Sequence, residues 1–398
     1  MSKNRQFHDF LRPFIGILIV LTIVFYYAGL NWGLERLGLL VLFNLLFVIA
    51  FVFDKASSIF KRQEMLLFLL FFLLNFLAVF FPDIDYEWFT FSITKIMASV
   101  FGAYISIVFC KTLNLEDYFY YGFIFAFVLI IYAEYSLGHF NPLTFYAPTV
   151  DRGDFLYNAN YYSYMGFYAN FSIFRLHLKY RNPWTLLGLM LIPLLAIAMS
   201  FSAQTRSGLI FTLIINVLFW FWVNKPKFTN PIYSVFRKII LFLMALFCVI
   251  QFIKIYSNSS IENRISSTSK EDSRGTLLKE GIEVFFDNPF TGVGLGNFKN
   301  YSSTGQMTHN TFAEALAEHG FFIGALIILV FILPFFKSFK LFLTNKGNPE
   351  FKLSLLYFFI WLLYNNIYVF YKATSAMMFF FLMIGVHYKL AESQKQEE

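Results

Sequence analysis

Charge is the scarcest commodity in this sequence. Only 14% of its 398 residues are Asp, Glu, Lys or Arg, against roughly a quarter in a soluble domain. That deficit excludes an ordinary solvated globule. Cysteine is nearly missing, with Cys110 and Cys248 alone. Neither has metal-ligand neighbours, so a disulfide framework and a zinc site are excluded, and both read as small core residues. Internal repeats and low-complexity segments are absent. "GVGLGNF" (residues 292–298) lacks the Lys-Ser/Thr of a nucleotide loop and has no βαβ unit around it. Its glycines read instead as a tight turn with close backbone approach, or as N–H groups offered to an anion.

What remains is oil. Hydrophobic residues make up 58% of the chain, with 57 Phe and 24 Tyr. Apolar runs of about 17 or more residues recur from end to end, long enough to cross a ~30 Å hydrocarbon core as helices. They lack the alternation of a barrel, and a helix satisfies its own backbone in lipid. The expected fold is all-α, one polytopic membrane domain over 1–398. About twelve spans are expected, at roughly 13–30, 37–53, 65–81, 90–110, 118–137, 160–174, 184–202, 207–223, 239–255, 320–336, 353–371 and 374–388. The N-terminal run has no small-x-small cleavage site and reads as a retained first span.

The net charge of +7 is not a nucleic-acid signal. If every span crosses, one set of loops carries about twice as many Lys and Arg as the other, and the richer set faces the cytoplasm. Both termini are then cytoplasmic. Loop length accumulates outside, in 138–159 and in a large loop over 256–319. Within the latter, "SRGTLLKEGIEVFFDNP" sets Leu277, Leu278, Ile282, Phe285 and Phe286 on one helical stripe. It predicts an amphipathic helix lying on the outer membrane surface.

Beside the glycine run at 292–298, three features could carry chemistry. Five arginines fall outside: Arg36, Arg152, Arg206, Arg264 and Arg274. A guanidinium keeps its charge and matches phosphate oxygens in pairs, so several converging would suit a diphosphate. Any one alone reads equally as an interfacial anchor. Arg206, boxed in by Gln204, Thr205 and Ser207 between two spans, is the strongest of them. His309 and Asn310 stand at the door of the tenth span, with Glu314 and Glu318 one turn apart behind them. A histidine there can accept a proton from a sugar hydroxyl or bond a phosphate. In "DRGDFLYNANYYSYMG" (151–166), Arg152, Asn158 and Asn160 lie among tyrosines whose flat faces suit sugar rings and membrane interfaces alike. No His-x-x-x-His zinc pair is present, so no metal site is expected.

In this order the stretches resemble the O-antigen ligase/polymerase superfamily of bacterial integral membrane glycosyltransferases. "RGDFLYNAN" resembles the family's Arg-Gly…Asn-x-Asn segment, with Ala159 where proline is usual. "QTRSG" resembles its Gln-Thr-Arg turn. "IENRISS" and "DSRGTLLKEGIEVFFDNPFTGVGLGNF" resemble the start of its large periplasmic loop. "THNTFAEALAEHGFFIGAL" resembles its His-Asn…Glu-x-x-Gly signature.

The resemblance implies a GT-C-like fold in the bacterial inner membrane with a periplasmic site. It implies inverting transfer of a glycan from undecaprenyl diphosphate, with neither metal nor cofactor. The acceptor would be lipid A–core or another lipid-linked glycan, with membrane lipid around the reactants and other polysaccharide-assembly proteins as candidate partners. Arg206, Arg264 and Arg274 would hold the diphosphate and His309 would serve at the reacting centre. Arg152, Asn158, Asn160, Asn310 and Glu314 would contact substrate. The ligase form's second histidine is replaced by Met307 and Thr308, which leaves ligase and polymerase equally open. Twelve spans also suit a transporter or flippase of an anionic or lipid-linked solute. That reading predicts charges near mid-membrane, whereas here only Lys95 and Lys254 interrupt spans, each near an outer end where it can snorkel.

Overall fold

The computed structural model describes residues 2–54, 62–80, 84–141, 154–203, 205–224, 235, 239 and 273–397. Every regular element among them is helical. The principal helices are α1 (Ser2–Ala28), α2 (Glu35–Phe53), α3 (Gln63–Leu74), α4 (Tyr86–Thr112), α5 (Glu116–Ser136), α6 (Ala159–Tyr180), α7 (Pro183–Ser202), α8 (Arg206–Leu218), α9 (Ser273–Asp287), α10 (Thr311–Thr344), α11 (Pro349–Tyr364) and α12 (Thr374–Glu397). Eight are long and apolar enough to cross a membrane. Three further expected spans fall on α3, α6 and α11, and the ninth, with Cys248 and Lys254, lies outside the described residues. The polytopic all-α architecture is therefore clear.

Local chemistry sets the helix starts. α7 and α11 each begin with Asn-Pro. The asparagine side chain accepts the N–H of Thr185 (2.8 Å) or Glu350 (2.8 Å), and proline takes the first helical position, where its missing N–H costs nothing. α4 and α12 pack against each other at the centre of the bundle. Cys110, on α4, is fully buried there as a small core residue.

The two ends of the bundle differ in chemistry. At one end Arg62 and Lys111 both meet Glu392 (3.0 and 2.7 Å), Lys389 meets Glu116 (2.7 Å), Lys337 meets Glu64 (2.7 Å) and Arg175 meets Glu350. These residues come from the basic loop set and its flanks. At the other end the long connections meet. The Leu30 N–H bonds the Tyr157 hydroxyl, Lys299 pairs with Asp85 at 3.1 Å, and the Asn310 amide donates to Asn366.

One expectation needs correction. The eleventh span stops at Tyr364 rather than 371. Asn365 and Asn366 leave the helix because the Asn365 carbonyl accepts the Thr311 N–H (2.8 Å) and the Asn366 side chain accepts from Asn310 (3.1 Å). The helix at 273–287 forms as expected, and protein covers one side of it. Leu277, Gly281 and Val284 pack with Val293, Phe298 and Ala317, while Ile282 and Phe286 stay exposed. The small Gly281, which contributed nothing to the apolar pattern, is where α9 closes against Thr308.

Candidate active site

The start of α10 builds the first half of the site. Asn310 caps the helix, its Oδ1 accepting the N–H groups of Phe312 (2.9 Å) and Ala313 (3.0 Å). Glu314 reaches back to the Thr308 N–H at 2.8 Å, and the Thr308 hydroxyl donates to the Asn310 carbonyl at 2.8 Å. Both neighbours of His309 are thus pinned. His309 itself is held at φ 55°, a left-handed conformation that costs most non-glycine residues about 1 kcal/mol. A fixed turn presents its imidazole to a cavity.

Behind His309 sits a buried ion cluster. The Lys372 ammonium contacts Glu314 (3.0 Å) and both oxygens of Glu318 (2.9 and 2.7 Å), and the Tyr371 hydroxyl also donates to Glu318 (3.2 Å). Lys372 is 6% exposed and both glutamates are nearly inaccessible. Burial alone would lower the Lys372 pKa, but Glu318 and Glu314 outweigh it and raise it above the ordinary lysine value. The cluster carries one more negative than positive charge when all three groups are ionised.

Glycines position Glu318. Gly320 breaks α10 with φ 67°, ψ −174°, a conformation open essentially to glycine. The freed carbonyls of Ala317 and Glu318 accept the N–H groups of Val293 (3.0 Å) and Gly294 (2.9 Å), and the Phe321 N–H bonds Pro289 (2.7 Å). The loop around 292–296 is thereby buttoned onto the kink. Its glycines at 292, 294 and 296 all take positive φ, which favours the tight-turn reading of "GVGLGNF".

Two cavities open beside this cluster. The first, ≈ 280 Å³, is lined by Trp88, Lys299, His309, Glu314, Glu318 and Lys372 among others. Lys299 lies 3.9 Å above the Trp88 ring and pairs with Asp85, whose carboxyl is held below its usual range by the Trp88 N–H and by Lys299. The second, ≈ 300 Å³, is lined by tyrosines with Asn158, Asn160, Lys95 and, again, Lys372. Lys372 is the wall the two share.

His309 and Glu314 therefore meet in the first cavity, and Asn158 and Asn160 in the second. Asn158 also caps α6 by accepting the Asn160 N–H at 3.0 Å. Asn310 spends its side chain on the α10 cap and Asn366. Arg206 is the half-buried first residue of α8, a cation placed against the helix dipole. Arg274, near the start of α9, is also half-buried, and its charge is felt at Tyr164, which lines the second cavity. Neither arginine lines the cavities themselves. Arg152 and Arg264 lie outside the described residues.

Sequence reasoning did not name as site residues Lys372, Glu318, Lys299 or Trp88, which line the candidate site. The one available signal was the Glu314/Glu318 pair, two carboxylates one turn apart that need a cation when buried. No curated protein matches the chain. Residues 188–329 match the family model described as O-antigen ligase, a stretch that runs from α7 through the His309 turn into α10. The match covers about a third of the chain and supports its resemblance to the O-antigen ligase/polymerase superfamily of membrane glycosyltransferases.

Proposed function

We propose that the protein displaces undecaprenyl diphosphate from a lipid-linked glycan and passes the glycan to an acceptor sugar hydroxyl, at the periplasmic face of a bacterial inner membrane. The observation that carries this reading is the pair of unlike cavities sharing Lys372. One is walled by carboxylates and His309, the other by tyrosines and a lysine. An imidazole that lines one cavity with Glu314 and Glu318 is placed to take the proton of an acceptor hydroxyl. His309 accordingly acts as the base for the acceptor hydroxyl, with Glu314 holding its turn in place. The tyrosine cavity receives the donor glycan, and Arg206 and Arg274, joined by Arg264, hold the diphosphate.

In the transfer the acceptor oxygen bonds to the anomeric carbon as its proton passes to His309. The bond from that carbon to the diphosphate oxygen breaks, and the arginines stabilise the charge that builds there. One in-line displacement inverts the anomeric centre and needs no metal ion. The acceptor is lipid A–core or a second lipid-linked repeat.

Purified protein with a synthetic undecaprenyl-diphosphate repeat unit, alone and with lipid A–core, tests the reading by gel. A ladder from donor alone identifies a polymerase, and one shifted band only with lipid A–core a ligase. Silence in both tubes with donor still bound contradicts the proposal.

A further inference from the structure

We infer that the tyrosine-lined cavity selects a glycan carrying an acidic sugar, whose carboxylate pairs with Lys95. The inference rests on that cavity's assignment to the donor glycan and adds the class of sugar it takes.

Lys95 stands nine residues past Tyr86, about 14 Å along α4 at 1.5 Å per residue. Its ammonium lies 4.1 Å from the centre of the Phe91 ring and lines the cavity. Its situation is the reverse of Lys372. Lys372 has two carboxylates in contact, whereas among the described residues no carboxylate lines this cavity and none pairs with Lys95. An ammonium drawn partly from water, with no carboxylate in contact among the described residues, calls for an anion.

The rest of the wall is made for a sugar. Tyr157 and Tyr161 stack at 4.8 Å and offer apolar ring surface with hydroxyl edges. Tyr164 is 7% exposed, and its hydroxyl has no hydrogen-bond partner among the described residues. A buried phenol without a partner costs stability, which a ligand hydroxyl would restore. Asn158 and Asn160 add amides at the rim.

Charge count separates the acidic sugar from the diphosphate. A diphosphate carries two or more negative charges and calls for several cations. Among the described lining residues, Lys95 alone is a cation with no carboxylate in contact, which matches a single carboxylate.

The test is binding to the purified full-length protein in nanodiscs by isothermal titration, with three probes. They are a tetrasaccharide containing one glucuronate, the same saccharide with glucose in that place, and farnesyl diphosphate. We expect the wild type to bind the glucuronate saccharide about tenfold more tightly than its neutral counterpart, as a charge-assisted contact provides. Lys95→Met should abolish that preference and Lys95→Arg should keep most of it. Equal affinity of the wild type for both saccharides overturns the inference. So does a Lys95→Met variant that keeps the saccharide preference but loses farnesyl diphosphate, since Lys95 would then serve the diphosphate. Because the readout is binding, acidic preference without glycan transfer contradicts the proposed function and leaves this inference standing. Transfer without preference does the reverse.

Discussion

Lys372 is a single basic residue in a short turn, and nothing around it in the chain announces a role. Its partners stand 58 and 54 residues away, so the cluster exists only after α10 and α11 have packed. Glu314 and Glu318 were legible as neighbours on one helix face, while their cation was not. Truncation of Lys372 leaves two buried carboxylates uncompensated. Lys372→Met should therefore cost about 3–5 kcal/mol, read as a lowered thermal midpoint in detergent. Adding Glu314→Gln and Glu318→Gln should restore much of it, because the buried charge disappears with the cation. The pH dependence has a definite sign. Lys372's pKa is raised by Glu318 and Glu314 against the pull of burial, so its contribution is complete below the unfolded value of about 10.4 and fades only as pH rises through the higher folded value. Titration of Lys372 itself should remove none of the wild-type midpoint between about pH 6 and 9. An alkaline decline should follow, and Lys372→Met should lack that part of it.

Helices were the most legible elements, because hydropathy runs and caps are local. Asn182-Pro183 and Asn348-Pro349 mark helix starts directly. What escaped was how elements dock. The apolar stripe of α9 named Leu277, yet the buried side also takes in Gly281 and Val284, and a glycine that permits close approach has no hydropathy to read. The kink at Gly320 escaped for the same reason, and it directs α10 away from the ion cluster and frees the carbonyls that hold the 292–296 loop. A Cβ at Gly320 would strike the Phe290 carbonyl and sit at φ 67°. Gly320→Ala should cost at least about 1–3 kcal/mol from backbone strain alone. Hydrogen exchange at the Val293 and Gly294 amides should accelerate, because their acceptors move. Unchanged protection at both amides would contradict the buttoning.

Across the whole molecule the account assigns one end to ion pairs and basic loops, the other to the cavities. The sequence carried this division in its Lys and Arg bias, and the contacts at each end agree with it. The meeting of the His309 turn with Lys372 and Tyr371 was beyond sequence reading, since it depends on three-dimensional packing. If the site end is periplasmic, Ser303→Cys should label with a membrane-impermeant maleimide from the periplasmic side in a chain lacking Cys110 and Cys248. Lys346→Cys, exposed at the opposite end, should label only after the membrane is opened. The reverse pattern would invert the topology and remove the site from the lipid-linked donor.

The central claim, that His309 serves at the centre where the glycan changes hands, is tested most directly by His309→Asn. Asparagine accepts the left-handed backbone of position 309 but offers no imidazole. Wild type and variant are compared for undecaprenyl diphosphate released per glycan transferred, after their thermal midpoints are shown to agree. The account predicts a fall of about 10²–10⁴ in rate, the usual contribution of a general base. Release and transfer by the variant at the wild-type rate would contradict it.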